Sequence, residues 1–242
     1  MPTLAVRPAP SPTPVPSAPA APCRATAHQL VVHRLARREF RVLARLATWA
    51  AADDAARTAA LAAHADLVGR VLLHHHALER ELIWPALLRE LPDRDADRAR
   101  DRIADWTARC ARVDHLLRDI STAARQWSVT GTGAARDAFA MACLVLAGAV
   151  DEQTGEEERE LLPLLAALPA QRWSEITASA GCALSGREQL FVLGRALEDA
   201  PPGERSRMLA ALPPATRTAW RLSGRRRYRA AVIRLRGEPP AP

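Results

Sequence analysis

The sequence predicts an all-α protein, an up-down antiparallel four-helix bundle followed by a smaller helical extension. Three observations carry that prediction. Hydrophobic residues make up 48% of the 242-residue chain but aromatic ones only 4%. The core must therefore be built mainly from Ala, Leu and Val, in a chain rich in helix formers and poor in strand formers. Apolar residues recur at helical spacing in four long blocks. Turn signals separate the blocks, and short connections between long amphipathic helices favour antiparallel neighbours.

Residues 1–24 are rich in Pro, Ala and Ser and lack the continuous apolar stretch of a signal peptide, so a disordered extension is expected there. The bundle is expected over 25–168. Its first block runs from about Thr26 to Ala50, with Leu30, Leu35, Val42, Leu43 and Leu46 on the inner face. The second covers about Ala56 to Leu91 and stops at Pro92-Asp93. The third extends from Asp95 to about Val129, before the breaker Gly131-Thr132-Gly133. The fourth spans about Ala134 to Leu168, with Pro163 bending or ending its last turns. Residues 169–242 form the C-terminal extension. Shorter helices are expected there near Arg172–Ala180, Ser185–Leu197, Pro202–Leu212 and Thr216–Arg236, punctuated by Pro201-Pro202 and Pro213-Pro214.

Charge is unevenly distributed. The formal net charge is +7, yet the stretch from Arg205 onward holds ten arginines against one acid, which leaves the first 204 residues at −2. The basicity belongs to the tail over 217–236, which could engage nucleic-acid phosphates or an acidic membrane surface. Its plain alternative is a solvated arginine face whose apolar side, with Trp220, Leu222, Tyr228, Val232 and Ile233, packs on the bundle. Every cation is Arg and none is Lys, a pattern that nucleotide-composition bias produces as readily as binding chemistry. Cysteines at 23, 110, 143 and 182 show no CxxC spacing. Reduced thiols and a cytoplasmic location are expected. No run reaches about 18 uninterrupted apolar residues, so no membrane span is expected.

The most informative stretch is Leu73-His74-His75-His76-Ala77-Leu78-Glu79. His75 and Glu79 are four apart and share one helix face, whereas His74 and His76 flank it as supporting or surface groups. The other blocks also offer inward polar residues: His33 in the first, Cys110 and Asp114 in the third, Gln153 and Glu157 in the fourth. Three of the four helices thus repeat a four-residue spacing. Nitrogen and oxygen donors converging inside a bundle suit iron, manganese or zinc. Glu156, Glu158 and Glu160 read as a solvated acidic face, and His28, His64 and His115 as surface or packing residues. Cys110 fits either a small core residue or a thiol ligand. No phosphate loop or nucleophile elbow is present, which gives no catalytic assignment.

These motifs, taken in order, resemble the hemerythrin-like (HHE cation-binding) family, in particular its longer bacterial members. The resemblance rests on His33-Arg34 with Arg37-Arg38, on Leu73 to Trp84-Pro85, on Ala111-Arg112-Val113-Asp114 and on Glu156 to Pro163. Gly224-Arg225-Arg226-Arg227-Tyr228 looks like the extension those members carry. Membership implies a non-haem di-iron site in which histidines of the first two helices hold one ion, histidines of the last two hold the other, and carboxylates bridge. His33, His75, Glu79 and Glu157 match that pattern. Cys110 and Gln153 stand where histidines are expected, and Arg80 replaces a common acid. An amide is a poor ligand and a thiolate a soft one, so the second metal position is expected to be eroded. Cys110→His with Gln153→His should restore it, and Asp114 could add an oxygen. The resemblance implies a metal-binding protein that binds or senses oxygen, nitric oxide or oxidants, or stores iron. Zinc and manganese are alternative ions, and a metal-free helical scaffold or interaction module is the rival function.

Overall fold

In the computed structural model, which describes residues 22–181 and 184–237, every regular element is helical. The expectation for residues 1–21 lies outside the described residues. Helix α1 (Arg24–Trp49) starts where the Cys23 sulfur accepts the Thr26 N–H. Asp54 caps α2 (Ala55–Leu78) by accepting the Arg57 N–H at 2.9 Å. A π-helical turn (Glu79–Ile83) leads from α2 into α3 (Trp84–Glu90). Helix α4 (Asp93–Thr130) ends at Gly131, whose φ of 59° lies in the left-handed region that glycine adopts without strain. Thr132 then caps α5 (Gly133–Glu160). In the ring so formed, α1 packs on α2 and α5, and α4 packs on the same two helices.

The second block is less regular than its periodicity predicts, and the fourth breaks near Pro163 as expected. Pro85 has no N–H and cannot continue an α-helical ladder. The chain accommodates it just after the π turn, where the Trp84 N–H reaches back five residues to the Glu79 carbonyl. The wider turn brings Glu79 and Trp84 onto one face, and both are buried. The fourth block leaves the α-helix at Glu160 and continues as a 3₁₀ segment (Leu162–Ala167) around Pro163.

Two apolar layers fill the bundle. The larger one includes Phe40, Leu61, Leu72, Ile120, Phe139 and Leu146. The other closes one end with Trp84, Leu87, Trp106 and Leu165, joined by Trp173 and Ile176 of α6 (Ala170–Ser179). By length and composition α5 could cross a membrane, yet Cys143, Leu146 and Val150 on its inner face are fully buried in the bundle.

The extension comprises α7 (Gly186–Asp199), α8 (Pro202–Ala211), α9 (Pro214–Ala219), a second π turn (Trp220–Gly224) and α10 (Arg225–Arg236). A Ser185/Glu188 capping box starts α7. Helices α7 and α10 meet at Gly194, where an added Cβ would stand 2.3 Å from the Tyr228 ring. The apolar side of the basic tail is narrower than predicted: Trp220, Tyr228, Val232 and Leu235 are buried, while Leu222 and Ile233 are exposed.

A buried charge cluster fastens this extension to the bundle. Glu39 of α1 receives Arg38 Nε at 2.6 Å, has His64 Nε2 at 2.7 Å, and pairs closely with Arg195 of α7. Burial alone would raise the Glu39 pKa, but His64, Arg195 and Arg38 hold it at about 2. Glu198, also on α7, accepts from Arg236 at 2.6 Å and from the Tyr228 hydroxyl. His64, expected as a surface or packing residue, is buried within this network.

Candidate metal centre

His33, His75, Glu79 and Glu157 are all buried between the two apolar layers, and each brings one donor atom within 4.8 Å of the other three. They come from α1, α2, the first π turn and α5. His33 Nε2 lies 3.2 Å from His75 Nε2 and 3.3 Å from Glu157 Oε1, and His75 Nε2 lies 3.3 Å from Glu79 Oε1. Donors about 2.0–2.2 Å from a four-coordinate ion stand roughly 3.3–3.6 Å apart. The observed edges fit that spacing. Within this cluster His75 Nδ1 is buried without a hydrogen-bond partner among the described residues, although such groups are ordinarily satisfied.

The supporting contacts orient the donors. His33 Nδ1 lies 3.0 Å from Glu158 Oε1, which in turn pairs with Arg37 at 3.0 Å. A proton held on Nδ1 leaves the Nε2 lone pair facing inward, the usual arrangement behind a metal-bound imidazole. Glu158 is therefore a partner of the site rather than part of a solvated acidic face. Gln29 donates from Nε2 to Glu79 Oε1 in a short hydrogen bond.

The protonation pattern follows from burial and charge. Burial would lower the pKa of His33, but Glu157 and Glu158 outweigh it and raise it above the ordinary imidazole value. Burial, with His33 and His76 nearby, pushes His75 well below that value and keeps it neutral. Glu79 is pushed well above the usual carboxylate range by burial and by Glu157. Burial opposes ionisation of Glu157 too, yet His33, a hydrogen bond from the Glu79 carboxyl and the Trp106 indole favour its anion, and its pKa is lowered. The metal-free cluster thus pairs cationic His33 with anionic Glu157 and keeps Glu79 protonated.

The remaining predicted residues do not join this group. Cys110 is buried in the apolar end layer beside Trp84 and Trp106. Burial, then the Glu79 and Glu157 carboxylates, push its thiol far above the ordinary range, and its sulfur lies outside the donor cluster. Asp114 Oδ1 lies 3.6 Å from His76 Nδ1. His76 is buried, has its Nε2 3.4 Å from Gln153 Oε1, and meets the Trp106 ring edge-on. His74 is half-buried and outside the cluster. A cleft of about 30 Å3 between α4 and α5 reaches Trp106, Gln153 and Glu157 past Arg102 and Arg109.

The model of the hemerythrin HHE cation binding domain matches residues 25–165. The chain belongs to the hemerythrin HHE family. Neither the curated proteins nor the solved structures include a match. In a two-ion hemerythrin arrangement a bridging carboxylate offers one oxygen to each ion. Here Glu157 Oε2 instead accepts from Trp106 Nε1 and from Gln153 Nε2, each at 3.0 Å. That oxygen is therefore already engaged by two N–H donors.

Sequence reasoning missed Gln29, Trp106 and Glu158. Gln29 was within reach, because it precedes His33 by four and shares its face. Trp106 gave no such signal, since its role depends on the packing of α4 against α5.

Proposed function

We propose that this protein binds one non-haem metal ion, iron first among the ions its donors suit, through His33, His75, Glu79 and Glu157. The convergence of four buried donors from separate elements supports this reading. Two imidazoles and two carboxylates form a borderline-to-hard set that favours iron, manganese or zinc over copper(I). Such an ion, when bound, would supply a coordination position for a small oxygen or nitrogen species or for redox chemistry. The cleft at Glu157 has room for a water-sized molecule, which favours oxygen, nitric oxide or peroxide over a bulky substrate. Binding or sensing such a species is the role we assign.

The protein's own residues then have separable tasks. Glu158 holds the His33 proton on Nδ1, Gln29 holds Glu79, and Trp106 with Gln153 fixes Glu157 through its outer oxygen. That last pair closes the second position and makes Glu157 a one-ion ligand. The sequence-based remedy, Cys110→His with Gln153→His, then falls short on its own because the Trp106 indole still holds Oε2.

The test is metal uptake by His75→Ala beside His74→Ala, neighbouring imidazoles with different environments. The first should lose iron binding by at least a hundredfold and the second should bind like the parent. Equal loss in both, or retention in His75→Ala, would remove this site from consideration.

A further inference from the structure

A large cavity lies remote from the candidate metal centre. It measures about 630 Å3 and lies between the outer face of α2, the start of α7 and α10, within the size range of small-molecule sites. Its floor is apolar, formed by Leu67, Phe191 and Leu235. Ala60 and Ala63 on α2 face Ala230 and Ala231 on α10, and these small side chains leave the space between the helices unfilled.

The charges around it are unbalanced. Elsewhere along this seam arginines find acids: Arg38 with Asp199, Arg195 with Glu39, Arg236 with Glu198, and Arg34 with Glu204. Arg187, Arg227 and Arg234 line the cavity and are in no ion pair among the described residues. The one carboxylate in the lining, Glu188, is already engaged by Arg70 at 2.5 Å and by the Ser185 hydroxyl at 2.7 Å. An apolar trough bordered by three uncompensated guanidiniums is complementary to one kind of molecule.

We propose that this cavity binds a small amphipathic anion, an acyl-type chain with a single carboxylate or phosphate head. Its tail lies on Leu67, Phe191 and Leu235, and its head is held by the guanidiniums, whose planar forks suit either oxyanion. The extension is then a ligand-binding module built against the bundle, independent of the metal site.

Titration calorimetry of the full chain with decanoate below its micellar concentration tests this. One decanoate per chain should bind, and decan-1-ol, with the same tail and no charge, should bind at least tenfold more weakly. Decyl phosphate beside decanoate identifies the preferred head, and binding of either supports the site. Arg227→Gln with Arg234→Gln should weaken decanoate about tenfold or more, and Ala231→Phe should abolish binding by filling the trough. Both variants should keep the parent helical circular dichroism and metal content. Equal affinity for decanol and decanoate, or unchanged decanoate affinity in both variants, would overturn the proposal. Adsorption to phosphatidylglycerol vesicles without uptake of monomeric decanoate or decyl phosphate would also overturn it, making the arginines a membrane-surface contact.

Discussion

Glu157 shows how single contacts decide what the site can hold. One oxygen faces His33 within the donor cluster, and the other accepts from Trp106 and Gln153. A second ion would have to displace both donors and find imidazoles that Cys110 and Gln153 do not provide. Adding Trp106→Phe to Cys110→His and Gln153→His should therefore raise iron uptake towards two per chain, while the double variant that keeps Trp106 stays near one. Elemental analysis of the two purified variants checks this. Protonation gives a second expectation. Metal binding must displace the protons that His33 and Glu79 hold above their ordinary pKa values, so affinity should rise with pH across and above the ordinary histidine range. It should fall on acidification by up to about a hundredfold per unit where both protons are displaced. Affinity independent of pH from 6 to 8 would contradict the protonation pattern. The convergence of His75, Glu79 and Glu157 was legible because spacing of four residues places side chains on one face, whereas His33 came from the motif that resembles the family's. Trp106 and Glu158 were not, since their partners lie across helices where spacing says nothing.

At the scale of elements, periodicity located the bundle helices to within a few residues but hid the π turn at Glu79. The combination of a ligand-bearing face with Pro85 in an otherwise helical pattern was the available signal. The docking of the extension was less legible still, because the Glu39–Arg195 contact joins residues 156 apart and no local pattern encodes it. Gly194 offers the sharpest test of that docking. A Cβ there would strike the Tyr228 ring, and the fused α7–α10 contact has little room to yield. Gly194→Ala should lower stability by about 1–3 kcal/mol, measurable by denaturant unfolding, with metal affinity unchanged. Wild-type stability in this variant would show that α7 and α10 pack differently.

For the whole molecule, packing rather than metal should dominate stability. Two apolar layers and fully buried side chains such as Trp84, Trp127, Phe40 and Phe139 give the bundle a core that small metal-dependent domains lack. Chelation should lower the melting temperature by a few degrees and leave the helical circular dichroism intact at room temperature. Acid should act on the seam between bundle and extension. Glu39 has a folded pKa of about 2 against an ordinary value of 4.5; its contribution is complete above 4.5 and is lost as pH falls towards 2. His64, kept neutral by burial despite Glu39, must gain a proton on unfolding, so its contribution also declines as pH drops below the ordinary value of 6.5. Both effects weaken the fold in acid, and thermal melts between pH 7 and 3 should show a falling midpoint. The overall class was readable from composition and block periodicity alone, whereas the cavity beneath the basic tail depends on how three distant helices meet.

The proposed centre of His33, His75, Glu79 and Glu157 offers one ion a full set of donors. Iron content of the purified, iron-loaded chain, determined together with its near-ultraviolet absorption in air, tests it most directly. About one iron per chain and no strong oxo-bridge bands are expected; two irons per chain with those bands would contradict a one-ion site.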